Sequence, residues 1–248
     1  MEAIILCGGF ATRLEPITLF VPKPLLPIQG KPIIDNTMEK MRAAQPKRVI
    51  ISTNKKFSDQ FEHWALSREC TSGSGKIEIL VEPTLHNKEK FGAVKGIEFA
   101  IKKKKINDDL LIVAGDNFYR FDLLRMIKRF KELRKPVIAL HDIKKKEEAK
   151  RFGVISMKNG VIAHFEEKPA KPKSTLISTG IYLFPKETLR MFEEYLSDSN
   201  NPDAPGYFLH WLINREKVYG VTYNEEWYDI GTIDTYRKVF DSCIKRSR

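Results

Sequence analysis

The chain has 248 residues, of which 42% are hydrophobic and 30% charged, a composition too apolar for a disordered protein. No apolar run approaches the roughly 20 residues that span a bilayer, and the opening residues carry no basic leader, so the sequence predicts a cytoplasmic protein with no membrane partner. The net charge of +11 favours phosphate-bearing ligands of any kind and does not separate nucleotides from nucleic acids.

The cysteines and the lysine runs indicate no site of their own. Cys7, Cys70 and Cys243 are widely separated and form no C-x-x-C pair, so neither a disulfide framework nor a zinc site is indicated and we expect structural thiols. The lysine runs at residues 102–105 and 144–146 lack the interleaved aromatic residues of a nucleic-acid stacking platform. They are typical of a solvated surface, and we expect no nucleic-acid partner.

The first half of the chain alternates strand-like and helix-like runs. The strand-like runs cover residues 3–6, 48–52, 77–81 and 110–114, and the helix-like runs cover residues 38–44, 58–66, 93–102 and 123–133. This βαβα pattern predicts a mostly parallel sheet with helices on both faces, in which ligands gather beyond the carboxyl ends of the strands.

The pattern changes after Pro136. Four strand-like runs cover residues 137–140, 153–157, 161–165 and 178–184, and a polar loop covers residues 197–206. Asn159 and Gly160 predict a tight hairpin, because both residue types accept the positive φ angles of such a turn. We therefore expect one α/β domain over residues 1–248, with three layers and a mixed, mostly parallel sheet, divided into halves at residues 1–135 and 136–248.

A loop of small residues follows the first strand, with the sequence LCGGFATRL at residues 6–14. Its backbone N–H groups could approach a phosphate closely, Arg13 adds a cation, and prolines on both sides of Lys23 would hold a second cation in place. No G-K-[ST] follows and the glycine spacing differs from the dinucleotide-binding pattern, which argues against kinase-type and dehydrogenase sites. The loop residues that we expect to bind nucleotide are Leu6, Gly8, Gly9 and Thr12.

Two aspartates follow apolar segments far apart in the chain. Asp116 comes directly after the strand at residues 110–114, and Asp229 lies among aromatic and aliphatic neighbours. Either aspartate alone could be a helix cap or a turn residue. Together they would suit Mg²⁺, which binds one or two carboxylates along with water and phosphate oxygens.

Gly153 and the pair Glu167–Lys168 flank the predicted hairpin and would come close together. A carboxylate and backbone groups can satisfy hydroxyls, while a lysine meets a phosphate dianion as a compact charge. An exposed strand carrying an ion pair is the structural alternative. The sequence thus indicates a second pocket, for a ligand with both hydroxyl and phosphate groups.

These motifs resemble the signature of the sugar-1-phosphate nucleotidylyltransferase family. GGFATRLEPIT followed by KP matches G-G-x-G-T-R-L-x-P-x-T and its lysine, and GDN, WYDIGT, EKP and STGIY match further family elements in their expected order. Ala11 stands where the motif has a glycine, and Ser178 stands where an asparagine is usual. The resemblance covers nearly the whole chain.

The resemblance implies a nucleotide-diphospho-sugar transferase fold with a Rossmann-like nucleotide-binding half and a sugar-phosphate-binding half. It implies transfer of a nucleotide from a nucleoside triphosphate to a sugar 1-phosphate, with Mg²⁺ on Asp116 and Asp229. It gives catalytic roles to Arg13, Lys23 and Lys168. The sugar-phosphate site that it implies consists of Gly153, Glu167, Lys168, Ser178, Gly180 and Tyr182.

The nucleobase is the least determined part of the prediction. Glu82 and Gly92 lie in a stretch that resembles the family's base-reading segment, where thymidylyl enzymes often have a glutamine in place of Glu82. A carboxylate only accepts hydrogen bonds, which suits guanine or cytosine better than thymine. We expect glucose 1-phosphate with dTTP or UTP, and the alternative is mannose 1-phosphate with GTP.

Other classes stay open as rivals. A catalytically silent subunit that senses sugar nucleotides would share the fold, whereas a related glycosyltransferase would need a D-x-D metal motif that the sequence lacks. Longer family members carry a carboxy-terminal left-handed β-helix, and because the sequence ends at Arg248 we expect a single activity. Assembly into a homo-oligomer is left open.

Overall fold

The computed structural model describes residues 1–69 and 75–246, which form the following strands and α-helices. The strands are β1 Glu2–Cys7, β2 Pro27–Ile28, β3 Lys31–Pro32, β4 Arg48–Asn54, β5 Lys76–Glu82, β6 Leu110–Ala114, β7 Asn117–Tyr119, β8 Val137–Asp142, β9 Gly153–Lys158, β10 Val161–Glu167, β11 Leu176–Phe184, β12 Tyr219–Tyr223 and β13 Trp227–Asp229. The helices are α1 Ile33–Met41, α2 Ser58–Glu69, α3 Ala93–Lys104, α4 Leu124–Leu133, α5 Lys146–Ala149, α6 Arg190–Ser197, α7 Pro205–Leu212 and α8 Ile233–Arg246. Cys70 lies outside the described residues.

The first half forms a parallel sheet around β1. Ala3 pairs with Val49 of β4 on one side and with Leu111 of β6 on the other, and β5 extends the sheet beyond β4. Strands buried on both faces need continuous apolar sequence, and Ile4 and Ile5 are each 0% exposed. Burial of one such side chain contributes about 2 kcal/mol to stability. The parallel arrangement predicted from the βαβα pattern is confirmed.

The second half extends the same sheet with mixed pairing. Among the described residues the strand order is β5-β4-β1-β6-β11-β8-β12-β10-β9. β11 is antiparallel to both β6 and β8, β12 is parallel to β8, and β10 is antiparallel to β9 and β12. The parallel pairing thus belongs mainly to the first half, and the second half is the mixed sheet that its short strands predicted.

Helices cover both faces of the sheet, which gives three layers. One core packs Ala3 and Ile5 of β1 with side chains of α1, α2 and α4, while the other packs Ile4 with side chains of α3, α6 and α7. Successive residues of β1 therefore face opposite cores, as the two-residue period of a strand requires. None of the described helices is both long enough and apolar enough to cross a bilayer.

Local differences from the sequence prediction have simple causes. α1 begins at Ile33 instead of residue 38, because Pro32 sets an extended entry and the buried side chains already follow a helical face from Ile33 onward. The loop predicted at residues 197–206 ends early, since Pro205 starts α7 in the first-turn position that proline tolerates. The hairpin is confirmed, with φ angles of 53° at Asn159 and 77° at Gly160.

Candidate active site

A cleft of about 580 Å³ opens at the carboxyl ends of β1, β5 and β6 and continues onto β9, β10 and β11. Ligand sites in α/β sheets lie at this edge. Every site residue that the sequence predicted lines this cleft, namely Leu6, Gly8, Gly9, Thr12, Arg13, Lys23, Glu82, Gly92, Asp116, Gly153, Glu167, Lys168, Ser178, Gly180, Tyr182 and Asp229.

The loop after β1 presents open backbone to the cleft. A β-carbon added at Gly9 would meet nothing within 4 Å, so a ligand can approach the main chain there. Ala11 has a φ of 50° in the left-handed region, and its carbonyl accepts hydrogen bonds from the Thr18 hydroxyl and the Leu14 N–H, both at 2.9 Å. The loop thus accommodates a β-carbon where the family motif has glycine, at a backbone cost of about 1 kcal/mol.

Lys23 lies next to the first of the two aspartates. Its side chain is 10% exposed, and its Nζ donates to Asp116 Oδ2 at 2.6 Å. Pro22 is extended and Lys23 begins a short 3₁₀ turn whose second residue is Pro24, so the backbone around the lysine is stiff. A cation is therefore held against the Asp116 carboxylate.

The second aspartate comes from the other half of the chain and lies beside the first. β13 pairs antiparallel with β7, which sets Asp229 opposite Asn117, and the Ile230 N–H donates to the Asp116 carbonyl at 3.3 Å. Burial raises the pKa of Asp229, the Asp116 charge raises it further, and Lys23, Arg13 and Arg151 act in the lowering direction. Two carboxylates that repel each other in a partly buried site favour a bound cation.

The donor set at this point fits a small, hard cation. In the described part of the chain no group of three or more His, Cys, Asp or Glu side chains could hold a metal ion, which argues against a closed protein cage. Mg²⁺ needs only one or two carboxylates, because water and substrate phosphate oxygens complete its octahedron. Asp116 and Asp229 meet that requirement.

Glu82 lies beneath the loop that follows β1. It is 7% exposed, its Oε1 accepts a hydrogen bond from the Ser52 hydroxyl at 2.9 Å, and a β-carbon at Gly8 would come within 2.9 Å of both carboxylate oxygens. Gly96 leaves room on the α3 side. Burial raises the pKa of Glu82, and the Ser52 hydrogen bond acts against that rise. The glycine at position 8 therefore also makes space for this carboxyl group.

The second pocket surrounds Glu167. β9 and β10 pair Gly153 with Glu167, and the Lys168 N–H donates to the Phe152 carbonyl at 3.1 Å, so the glycine and the Glu-Lys pair meet as the hairpin predicted. A β-carbon at Gly153 would come within 3.1 Å of Glu167 Oε2, and one at Gly206 would collide with that oxygen. Burial raises the pKa of Glu167, while Lys168, with its Nζ 3.6 Å from Oε1, acts to lower it.

Gly180 marks the junction of the two pockets. Gly180 has a φ of 77°, which favours glycine. A β-carbon added there would come within about 3 Å of Ala114 and Asn117, so the site leaves no space for a side chain. Asn117 Nδ2 donates to the Thr179 carbonyl at 2.6 Å. The wall of the second pocket is thereby fixed to the strand end that carries Asp116.

Ser178 and Tyr182 also belong to that wall. The Ser178 hydroxyl donates to Tyr182 Oη at 3.3 Å, and burial raises the pKa of the tyrosine. Ser178 thus contacts another wall residue and leaves the pocket a small side chain where the family motif has asparagine.

The first turn of α3 is capped from the second half of the chain. The Ala93 N–H donates to the Asp203 carbonyl at 2.7 Å, the Val94 N–H donates to the Pro202 carbonyl at 3.0 Å, and a β-carbon at Gly92 would collide with Pro202. These carbonyls satisfy the first N–H donors of the helix. The segment that contains Gly92 is therefore held in position by a loop that lies 110 residues farther along the chain.

Sequence reasoning missed several residues that line the cleft. Arg151, Asp203 and Gly206 lie outside the matched motifs, and nothing in their local sequence points to a site. Asn117 and Trp227 belong to matched motifs, and their place within those motifs was a signal that could have identified them. All five come from segments that tertiary pairing brings to the cleft.

Comparison with known proteins gives relatives along the whole described chain. The family model described as nucleotidyl transferase matches residues 2–246. The bifunctional protein GlmU of Methanocaldococcus jannaschii is 32% identical over 93% of this chain and 51% of its own length. The glucose-1-phosphate adenylyltransferase of Mycoplasma mobile is 30% identical over 100% of this chain and 68% of its own length. The chain thus spans about half the length of the first relative.

A solved structure shares the fold. The UDP-glucose pyrophosphorylase complexed with UDP-glucose superposes with a TM-score of 0.82 at 19% sequence identity, over 99% of this chain and 98% of that chain. The three-layer arrangement with a mixed sheet predicted from the sequence agrees with this likeness.

Proposed function

Because the chain belongs to the nucleotidyl transferase family, we propose that it joins a nucleoside triphosphate to a sugar 1-phosphate and releases pyrophosphate. The observation that carries the proposal is the convergence of two aspartates and three basic side chains, from both halves of the sequence, on one cleft. The reaction must bring two polyanions together and neutralise the charge that develops, and this set of charges suits that task.

In the proposed reaction a phosphate oxygen of the sugar 1-phosphate attacks the α-phosphorus of the triphosphate. A new P–O bond forms, the bond between the α-phosphorus and the bridging oxygen breaks, and pyrophosphate leaves with its electron pair. The attacking phosphate is already ionised, so the chain needs no general base. Alignment and charge neutralisation are the work of the protein.

Arg13 and Lys23 would bind the triphosphate. The loop residues along its phosphates would be Leu6, Gly8, Gly9 and Thr12. The residues at the base would be Glu82 and Gly92. Lys168 would bind the sugar phosphate. Glu167, with the wall of Gly153, Ser178, Gly180 and Tyr182, would contact the sugar. The first pocket belongs to residues 1–135 and the second to residues 136–248, within one domain.

Asp116 and Asp229 would hold Mg²⁺, which when bound neutralises phosphate charge and orients the triphosphate. Lys23 lies 2.6 Å from the Asp116 carboxylate and could exchange that contact for a phosphate oxygen when the cation binds. The burial of Asp229 and its closeness to Asp116 support this role, because a divalent cation relieves their repulsion.

Glucose 1-phosphate with dTTP or UTP is the pair that we propose first. The names of the similar proteins include an adenylyltransferase and a UDP-glucose pyrophosphorylase, so the base is the part of the proposal that most needs measurement. Mannose 1-phosphate with GTP is the alternative that the carboxylate of Glu82 suggested.

The test is pyrophosphate release, measured with Mg²⁺ for dTTP, UTP, GTP, CTP and ATP against a panel of sugar 1-phosphates. We expect the fastest release from glucose 1-phosphate with dTTP or UTP, and no release when the sugar 1-phosphate is omitted. Fastest release with GTP and mannose 1-phosphate would replace the proposed pair. Absence of release from every pair would overturn the enzymatic proposal and favour a sugar-nucleotide sensor.

A further inference from the structure

The basic side chains of the cleft divide into two groups. Within the described residues, Lys23, Lys90 and Lys168 each lie within 4 Å of a carboxylate, at 2.6, 2.8 and 3.6 Å. Arg13 and Arg151 also line the cleft, and neither guanidinium has a carboxylate within ion-pair distance in that part of the chain. These two arginines therefore offer their donors to an external anion.

Arg151 belongs to the second pocket. It lies in the short loop between α5 and β9, two residues before Gly153. The Lys168 N–H donates to the Phe152 carbonyl at 3.1 Å, so Arg151 and Lys168 stand at neighbouring ends of paired strands. Both side chains line the same cleft as Glu167.

Aromatic contacts connect Arg151 to the strand that carries Asp229. Its guanidinium lies over the Phe152 ring, 5.8 Å from the centroid, and the Phe152 ring meets Trp227 in an edge-on contact at 5.3 Å. Trp227 and Asp229 belong to the same short strand, β13. These contacts connect the second pocket to the strand that carries the proposed cation ligand Asp229.

We infer that Arg151 binds the phosphoryl group of the sugar 1-phosphate and, with Lys168, holds that dianion against the α-phosphate of the triphosphate. The inference rests on the proposed function. A guanidinium offers two parallel N–H donors that match two phosphate oxygens, whereas Lys168 supplies a compact point charge. Arg13 serves the triphosphate from the other half, so each substrate has one arginine and one lysine.

The experiment compares Arg151→Gln, Arg151→Lys, Arg151→Ala and the control Lys150→Gln. Lys150 is the adjacent basic residue, it pairs with Glu147 at 2.6 Å, and it does not line the cleft. KM for the sugar 1-phosphate and KM for the nucleoside triphosphate are measured separately for each protein. Thermal unfolding of each variant establishes that it is folded.

We expect Arg151→Gln to raise KM for the sugar 1-phosphate by about 10- to 100-fold, since hydrogen bonds to charged groups contribute about 1.5–3 kcal/mol. In the same variant, KM for the triphosphate should change by less than about 3-fold. For Arg151→Lys, KM for the sugar 1-phosphate should lie between the values for Arg151→Gln and the unmodified protein. Lys150→Gln should match the unmodified protein in both constants. Guanidinium ion added to Arg151→Ala should restore part of the lost activity. A larger rise in the triphosphate KM, or no change in either KM, would overturn the inference.

A binding measurement separates failure of the inference from failure of the proposed function. If the unmodified protein releases no pyrophosphate from any pair, the function fails, but calorimetric binding of glucose 1-phosphate and mannose 1-phosphate to it still tests Arg151. Binding of one of these ligands that is weakened at least about 10-fold in Arg151→Gln supports the inference. Equal binding to both proteins, or binding of neither ligand to the unmodified protein, contradicts it.

Discussion

The two halves of the cleft are built differently. On the proposed nucleotide side, the site residues lie at or just after the carboxyl ends of the parallel strands β1, β5 and β6, and the loop from Leu6 to Arg13 is one continuous segment. On the proposed sugar side, they come from β9, β10, β11 and β13 and from the start of α7, and these strands are joined mainly by antiparallel pairing. The first side depends on local sequence order, and the second depends on contacts between distant segments.

The largest effect is expected from substitutions of the two aspartates, which lie where the two sides of the cleft meet. Asp116→Asn and Asp229→Asn should each lower the rate of pyrophosphate release by at least about 100-fold, because each removes one charge from the proposed Mg²⁺ site. Both proteins should remain folded by circular dichroism. Asp198→Asn, at an exposed position after α6, is the control and should keep full activity. Unchanged turnover in either cleft variant would show that its side of the cleft does not supply a metal ligand.

A pair of glycine substitutions should separate the two sides. Gly206→Ala adds a methyl group where Glu167 Oε2 already lies, so it should destabilise the fold by about 1–3 kcal/mol and weaken sugar-phosphate binding. Gly9→Ala meets no neighbour within 4 Å, so it should leave the unfolding midpoint in urea unchanged and raise KM for the triphosphate. Equal stability loss in both variants would remove the proposed difference between a packed and an open pocket.

The buried carboxyl group on the nucleotide side should make stability depend on pH. The pKa of Glu82 is raised in the folded chain, so the folded state binds the proton of this carboxyl group more tightly than the unfolded state does. The resulting contribution to stability is fully present below the ordinary pKa of 4.5 and is lost as pH rises through the raised pKa. As pH rises from about 4.5 to 8, the free energy of unfolding should therefore fall less for Glu82→Gln than for the unmodified protein. Urea unfolding at both pH values measures this difference, and exposed Glu62→Gln is the control. Parallel pH profiles for all three proteins would contradict the burial argument.

The smallest effect concerns backbone strain in the loop that follows β1. Ala11→Gly should raise the free energy of unfolding by up to about 1 kcal/mol, since glycine adopts a φ of 50° without steric cost. Ala65→Gly, inside α2, should lower it by about 1 kcal/mol or more. The two variants are compared by their midpoints of unfolding in urea, provided that the dependence of the unfolding free energy on urea concentration is unchanged. A loss of stability in both variants would mean that the left-handed conformation carries no strain.

Local patterns predicted most of the proposed nucleotide side. The parallel strands were recognisable because each buried run is followed by a helix-like run, and Asp116 lies two residues after the end of such a strand. The start of α1 was missed because Pro32 obscured its first turn. The burial of Glu82 against Ser52 was also missed, since it depends on the register between β4 and β5.

Tertiary contacts decided the rest. The capping of α3 by the carbonyls of Pro202 and Asp203 has no sequence signal, because every residue type carries a backbone carbonyl. Gly206 became a feature of the pocket only when α7 packed beside Glu167. Arg151 resembled any other surface cation until the pairing of β9 with β10 brought it to the cleft.

The antiparallel seam between β6 and β11 limits how ligands can enter and leave. Ile181 pairs with Val113 and Phe184 pairs with Leu110, and these four residues are at most 2% exposed. A hinge that swung the halves apart as rigid bodies would break these buried backbone hydrogen bonds, each of which costs about 1–3 kcal/mol when its groups are left unpaired. Exchange of substrate and product is therefore expected to depend on local movement at the rim, for example in the loop at residues 198–204, with the sheet unbroken beneath it.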